Sequence, residues 1–396
     1  MQSVKLSIGG NYYDSYIYAG KLYLWTVSGN VITIEWDRLI ERLSEKLPDR
    51  LKFAAHCAFR KSGYLYGEEW KLFVRDPEMR NALEERFQQL SQISLDLKLE
   101  SFEDLIIQEQ ESSFVFPHAD VLFYYGSLYV GGKEGLYSAS RGGNRLPISK
   151  SKKIWDGPVL NLSANVFTLA LASGSEGLFE YDLDKREGIK DVRQVSRTQC
   201  NSTRWLYTSV YSISYDQSFI ADYSTPRISR SPSREEVMRL KMKREFLRFI
   251  DSEELFPRTN SQTKYTWGAH DKICRLYQDF VDIVRYSPVD REIAQRFRHI
   301  GSARIDPLIG KKQVINSDSA VFGYIVEYED GIFIINSQLE TFWLEGEPTN
   351  WRVFPNSADY TNQLHVIYDD YLSVLSFNTD YFVDQEQKTV GLRRGD

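Results

Sequence analysis

The sequence predicts a mainly β fold: a β-propeller, read as seven blades with six to eight allowed by the spacing, carrying helical insertions. Three observations predict it. Paired strand-like segments closed by short turns recur along the chain, and most copies lie about 40 to 70 residues apart. Aromatic residues make up 14% of the chain, with 25 Tyr and 22 Phe, and such residues suit a pleated, half-buried surface. At 396 residues the chain also exceeds what one simple core of about 250–300 residues holds. A repeat array escapes that limit, because each unit buries its apolar face on the next.

The first copy is residues 15–37, SYIYAGKLYLWTVSGNVITIEWD. Tyr16, Tyr18, Leu22 and Leu24 alternate before Ser28-Gly29-Asn30, and Ile32 and Ile34 alternate after it. Alternation interrupted by Gly-Asn is a hairpin signal. Further copies follow at 120–141, 165–182, 205–223, 272–286 (turning at Gln278-Asp279), 320–336 (turning at Glu329-Asp330-Gly331) and 364–383. The first gap, about 105 residues, is close to two periods and leaves room for a degenerate copy in 51–74 or near Phe114.

Helical spacing interrupts the pattern four times, near 36–47, 77–95, 233–254 and 288–300. Leu39, Ile40, Leu43 and Leu47 share one face of the first stretch, and Met79, Leu83, Phe87 and Leu90 one face of the second. In the third, Pro232 precedes a Ser233/Glu236 capping box, and Met238, Met242, Phe246 and Phe249 line one side. Trp36-Asp37 reads as a helix start. One propeller over 1–396 is the expected organisation; the alternative is a mixed α/β domain over 1–113 followed by a propeller over 114–396.

Two copies, LYVGGKEGLYSASR (128–141) and LALASGSEGLFEYDLDKR (169–186), resemble the strand–glycine turn–strand–acid units of kelch-type and bacterial sensor-type propellers. The resemblance implies an architecture and identifies no particular family. Neither a recurrent Trp-Asp strand ending nor an Asp-box is present.

Charge and cysteine usage narrow the function classes. Forty-nine Lys and Arg against 55 Asp and Glu give −6, which supplies no general attraction to nucleic acid or anionic lipid. Cys57, Cys200 and Cys274 are odd in number and far apart, against a disulfide framework or a cysteine zinc site. No stretch of about 18 apolar residues occurs and the N-terminus shows no signal-peptide pattern, so a cytoplasmic protein without membrane contact is expected.

Chemical motifs are sparse. His270/Cys274 and His365/Asp369 have the i,i+4 spacing of helical metal ligands. Both pairs enter strand-like segments, where four residues span roughly 13 Å and cannot share one ion. His56 and Cys57, as neighbours in a strand, would face opposite ways. Gly131-Gly132-Lys133-Glu134-Gly135 sits between strands without the helix N-terminus that a phosphate loop needs. Asp182/Asp184, Glu327/Glu329/Asp330, Asp369/Asp370 and Asp380/Asp384 could serve acid–base chemistry, but most read as turn residues. No catalytic residue, metal ligand or cofactor is assigned. Tyr12-Tyr13, Tyr124-Tyr125 and the Trp205/Tyr207/Tyr211 series are either a stacking platform or core between blades.

The basic segments are the candidate partner-binding residues. Residues 227–248 carry Arg227, Arg230, Arg234, Arg239, Lys241, Lys243, Arg244 and Arg248 against three Glu. A second segment holds Arg141, Arg145, Lys150, Lys152 and Lys153, and the tail adds Lys388, Arg393 and Arg394. Three functions compete. A non-catalytic interaction module, the subunit of a larger complex, would dock a protein partner with an acidic surface through rim loops and the basic amphipathic helix 233–250. A nucleic-acid-binding accessory protein needs 227–248 and 141–153 on one face. A glycosidase- or lactonase-type hydrolase needs converging carboxylates.

Overall fold

Short turns cut the predicted hairpins at 15–37 and 120–141 into three strands each, whereas 272–286 holds two. In the first copy the chain already reverses at Ala19-Gly20, where both residues have left-handed φ (51° and 79°). That is the two-residue type I′ turn whose twist matches the flanking strands. The computed structural model describes residues 2–60, 76–140, 151–165, 167–183, 192–215, 217–224, 244–251, 254, 263–288, 296–336, 338–355, 357 and 359–377. Its strands form seven sheets taken in chain order, a seven-bladed β-propeller. By contact the chain falls into two units, Met1–Glu111 with Lys312–Asp396, and Ser112–Lys311.

The first unit begins with β1 (Ser3–Gly9), followed by β2 (Tyr12–Tyr18), β3 (Lys21–Thr26) and β4 (Asn30–Glu35). Helices α1 (Trp36–Glu45), α2 (Asp49–Phe59) and α3 (Pro77–Ser91), then β5 (Leu95–Lys98), precede β6 (Ile106–Glu111). Strands β2, β3, β4 and β6 are blade 1. The long first gap is therefore an insertion between the third and fourth strands of one blade. No extra blade is found among its described residues, and Asp49–Phe59 is helix. Residues 61–75 lie outside those described.

Helices α1 and α3 form where predicted because their apolar faces meet a core, whereas α2 falls where a degenerate strand pair was expected. Trp36, Leu39, Ile40 and Leu43 of α1 are buried, as are Leu83, Phe87 and Leu90 of α3, while Met79 is exposed. The Asp76 carboxylate caps α3, accepting from the Glu78 and Met79 N–H groups, with Pro77 in the first turn. The α2 end is pinned by its carbonyls: Trp36 Nε1 (2.7 Å) and Gln363 Nε2 (2.9 Å) donate to the Phe59 oxygen.

The second unit holds blades 2 to 5. They are β7 (Asp120–Tyr124) to β10 (Lys152–Trp155), with β8 (Ser127–Gly132) and β9 (Gly135–Ser140) between; β11 (Asn161–Asn165), β12 (Thr168–Ala172), β13 (Leu178–Asp182) and β14 (Val192–Ser196); β15 (Ser202–Leu206), β16 (Ser209–Ile213), β17 (Phe219–Tyr223) and β18 (Phe246–Ile250); and β19 (Tyr265–Ala269), β20 (Lys272–Leu276), β21 (Phe280–Tyr286) and β22 (Phe297–Arg304). Helix α4 (Pro307–Lys311) ends the unit.

Back in the first unit, blade 6 is β23 (Asn316–Ala320), β24 (Gly323–Tyr328), β25 (Gly331–Ile335) and β26 (Thr341–Glu345). Blade 7 is β27 (Asn350–Val353), β28 (Gln363–Ile367) and β29 (Tyr371–Phe377), completed by β1 and extended by β5 in parallel. β1 and β29 run antiparallel in register from Ser3↔Phe377 to Gly9↔Tyr371.

Face-to-face packing explains the strand composition. Every residue of β12 is buried. Leu169 and Leu171 enter the cluster with Tyr129, Leu136 and Val159, while Ala170 and Ala172 face Trp205, Val210 and Phe219. The alternation is thus large against small, with both faces covered by other blades.

Two predicted helices are corrected. Phe246–Ile250 is strand, pairing with β17. Phe246 and Phe249 do share a side, as a helix would place them, but the cause is a bulge between Asp222 and Tyr223 that inserts Leu247. Three-residue spacing fits a bulged strand as well as a helix. Likewise Phe297–Arg304 is the fourth strand of blade 5. Residues 225–243 and 289–295 lie outside those described.

Candidate functional site

Neighbouring blades are joined by polar side chains at the start of their first strands. The Asp120 carboxylate accepts from the Asn161 side chain (2.9 Å) and the Leu162 N–H (2.8 Å). The Asn161 carbonyl in turn accepts from the Ser202 hydroxyl (3.1 Å) and the Thr203 N–H (2.9 Å). Asp120, Asn161 and Ser202 are spaced 41 residues apart, a periodic signal the sequence reading passed over. In the other unit Asn350 Nδ2 donates to the Tyr13 carbonyl, and Arg352 pairs with buried Asp14 at 2.9 Å.

Several ionisable groups are consumed in the same way. Buried Glu180 of β13 pairs with Arg244 (2.6 Å) and Arg193 (2.5 Å). The Arg244 guanidinium lies over the rings of Tyr223 (4.1 Å) and Trp205 (4.8 Å), and donates to the Thr208 carbonyl. Buried Asp222 accepts from Tyr286 and Arg296 of blade 5. Glu327 accepts from Trp351 Nε1 at 2.7 Å, and burial pushes its carboxyl pKa up.

The basic candidates therefore part company. Arg244 is a buried structural cation. Arg248 lies in β18, half-exposed and paired with Glu254. Lys152 and Lys153 open β10, with Lys153 paired to Asp156. Arg141, Arg145, Lys150, Arg227, Arg230, Arg234, Arg239, Lys241, Lys243 and the tail cations lie outside the described residues. Both basic segments nevertheless connect a third strand to a fourth, β9 to β10 and β17 to β18. Antiparallel order puts the described strand ends that they join, Ser138 beside Lys152 and Tyr223 beside Phe246, toward the same end of each sheet as the turn between the first and second strands.

Those first turns form the second candidate. Tyr125, Phe167, Tyr207 and His270 occupy them in blades 2 to 5, with φ of 49°, 59°, 56° and 59°. Bulky residues are rare in this region, at a cost of about 1–2 kcal/mol each. Tyr125 is 56% exposed and Tyr207 46%, and His270 is exposed too. The tips are linked in series: Phe167 N–H donates to Tyr124 Oη, Asn165 Nδ2 to the Tyr207 carbonyl, and His270 N–H to the Trp205 carbonyl. The Tyr125 ring lies 4.3 Å from that of Phe167. Of the predicted aromatic platform, Tyr12, Trp205 and Tyr211 are core. The missed signal is positional: the tips fall 42, 40 and 63 residues apart.

The third candidate is the edge strand β18. Phe246, Leu247 and Phe249 are 46%, 54% and 41% exposed. The Phe246 and Phe249 rings lie 4.9 Å apart, over Tyr223 and Phe219.

Histidines and cysteines are accounted for locally. His365 is fully buried against Phe354, within hydrogen-bond distance of Ser15 and Gln363, and burial lowers its pKa to about 3. His56 and Cys57, expected in a strand, belong to α2, where His56 meets the Ser44 hydroxyl. Cys57 and Cys200 are buried, and desolvation pushes their thiols up to about 12, which leaves them unreactive. Among the described residues no group of three or more His, Cys, Asp or Glu could hold a metal ion. No helix among them is long and apolar enough to cross a membrane.

No protein-family model and no curated protein sequence matches the chain. Among solved structures it is similar to the WD40 domain of Neurospora crassa Pan2, with TM-score 0.46 and 9% identity over 93% of this chain and 90% of that one. It is similar to a chain in the BBS1N–ARL6DN complex, with TM-score 0.48 and 8% identity over 96% and 98%. The N-terminal domain of Nup159 matches with TM-score 0.44 and 11% identity over 93% and 89%.

Proposed function

We propose that this chain is a non-catalytic interaction module that recruits a protein partner through the outer edge of blade 4. The observation that carries the reading is the exposure of Phe246, Leu247 and Phe249 together on an edge strand. Three large apolar side chains on a strand that pairs on one side only among the described residues are a ready surface for a second chain. The described outer strands β6 and β14 bear chiefly polar exposed residues (Gln, Glu, Arg). Engagement of Glu180, Asp222 and Asp14 in ion pairs that join blades also supports structural work for these acids. An acidic partner fits the cations that precede β18 in sequence, Lys241 and Lys243.

The test is affinity capture followed by mass spectrometry, comparing the unmodified chain with a Phe246→Ser/Leu247→Asp variant and adding a nuclease-treated arm. A protein recovered by the unmodified chain, lost by the variant at unchanged melting temperature and insensitive to nuclease supports the reading. Equal recovery by both chains removes β18 as the docking element.

A further inference from the structure

We propose that β22, the outer strand of blade 5, is a docking edge for an acidic polypeptide segment that adds to it in extended form. The site uses residues other than those of β18 and does not rest on the docking proposed there.

The edge itself is the starting point. β22 pairs with β21 from Phe280↔Arg304 to Tyr286↔Phe297, and among the described residues it pairs on no other side. Such a strand presents a row of backbone N–H and C=O groups that a further chain can continue. Charged side chains guard these edges against indiscriminate pairing. Charge of one sign leaves them open to a partner of the other.

The sign of the charge then selects the partner. Residues 296–305 contain Arg296, Arg298, His299 and Arg304 and no acid. Arg296 is engaged by Asp222 at 2.8 Å, and the His299 ring meets Ser302 and Asp282. Arg298 and Arg304 are exposed, and neither side chain has an acidic partner among the described residues. Arginines of other outer strands differ: Arg193 of β14 pairs with Glu180, and Arg248 of β18 with Glu254. Register adds to the excess. Arg298 stands directly opposite Arg285, and like charges so placed repel. Asp271 already holds both Lys272 (2.8 Å) and Arg285 (3.1 Å), so one carboxylate serves two cations and Arg298 is a third. Carboxylates on a strand laid along β22 would neutralise Arg298 and Arg304. Nucleic-acid phosphates would meet the same charges but cannot continue a backbone ladder; a polypeptide does both.

The experiment is fluorescence anisotropy of the full chain with labelled decapeptides of alternating Glu and Val, Lys and Val, or Glu and Pro, and with a labelled DNA duplex. We expect the Glu/Val peptide to bind, with affinity falling as salt rises, and the Lys/Val peptide not to bind. The Glu/Pro peptide carries the same charge without an N–H at every second residue, and should bind at least about five-fold more weakly. Arg298→Glu and Arg304→Glu should each weaken Glu/Val binding about ten-fold, whereas Arg298→Lys should stay within about two-fold of the unmodified chain. Arg298→Glu also sets an opposite charge against Arg285, so its melting temperature should hold or rise, which separates lost docking from lost folding. The Phe246→Ser/Leu247→Asp variant should bind Glu/Val unchanged. No binding of Glu/Val, equal binding of Glu/Pro, tighter binding of the duplex, or unaltered affinity in the two glutamate variants would overturn the proposal.

Discussion

Burial decides what individual ionisable residues do. His365 is neutral in the fold because desolvation, reinforced by the Arg352 cation, brings its pKa to about 3 from 6.5. The unfolded chain takes up a proton near pH 6.5 and the fold does not, so this contribution is complete above that pH and is lost as pH falls toward 3. The slope approaches about 1.4 kcal/mol per pH unit. Urea melts between pH 7 and 5.5 should show the loss, and His365→Asn should flatten it. Glu327, whose pKa burial raises, acts in the opposite sense. Arg244 is a second case. It read from sequence as a docking cation, yet it closes an ion pair with Glu180 while covering Tyr223 and Trp205. Arg244→Met is expected to cost about 3 kcal/mol by chemical denaturation, because Glu180 loses its buried partner. Nothing local distinguishes Arg244 from Lys241 or Lys243; its role depends on β13, more than sixty residues earlier.

At the scale of elements, strands were legible where Gly-bearing turns separate alternating large and small residues, as in 128–140 and 169–182. Their packing partners were not, since Leu169/Leu171 and Ala170/Ala172 serve two different blades. β18 was misread because an aromatic pair three residues apart sits on one side of a helix or of a bulged strand alike. The aromatic turn tips went unrecognised as a set because a left-handed φ at Tyr or Phe contradicts local preference. Replacing Leu171 with Ala, in a strand buried on both faces, should destabilise the fold by about 2–5 kcal/mol in a denaturant titration. Leu247→Asp on the exposed bulge of β18 should change stability by no more than about 0.5 kcal/mol. A large loss there would mean that β18 is covered within the chain.

For the whole molecule, the repeat architecture was legible from spacing, which allowed six to eight blades, whereas the count of seven and the make-up of the last blade were not. Its fourth strand is β1, more than 360 residues from the β29 residues it pairs with, and no sequence pattern in Ser3–Gly9 names that partner. Sheets packed face to face explain why strands such as β12 and β28 are buried throughout, and sharing of blade 7 by both ends of the chain leaves β29 paired on both sides. The most direct measurement is cross-linking of a Ser7→Cys/Ser373→Cys chain in which Cys57, Cys200 and Cys274 are replaced by Ala. Ser7 and Ser373 face each other in the register, so oxidation or dibromobimane should join them within one chain and raise its melting temperature. Failure of the pair to close in the folded monomer would contradict a propeller whose last blade is completed by its first strand.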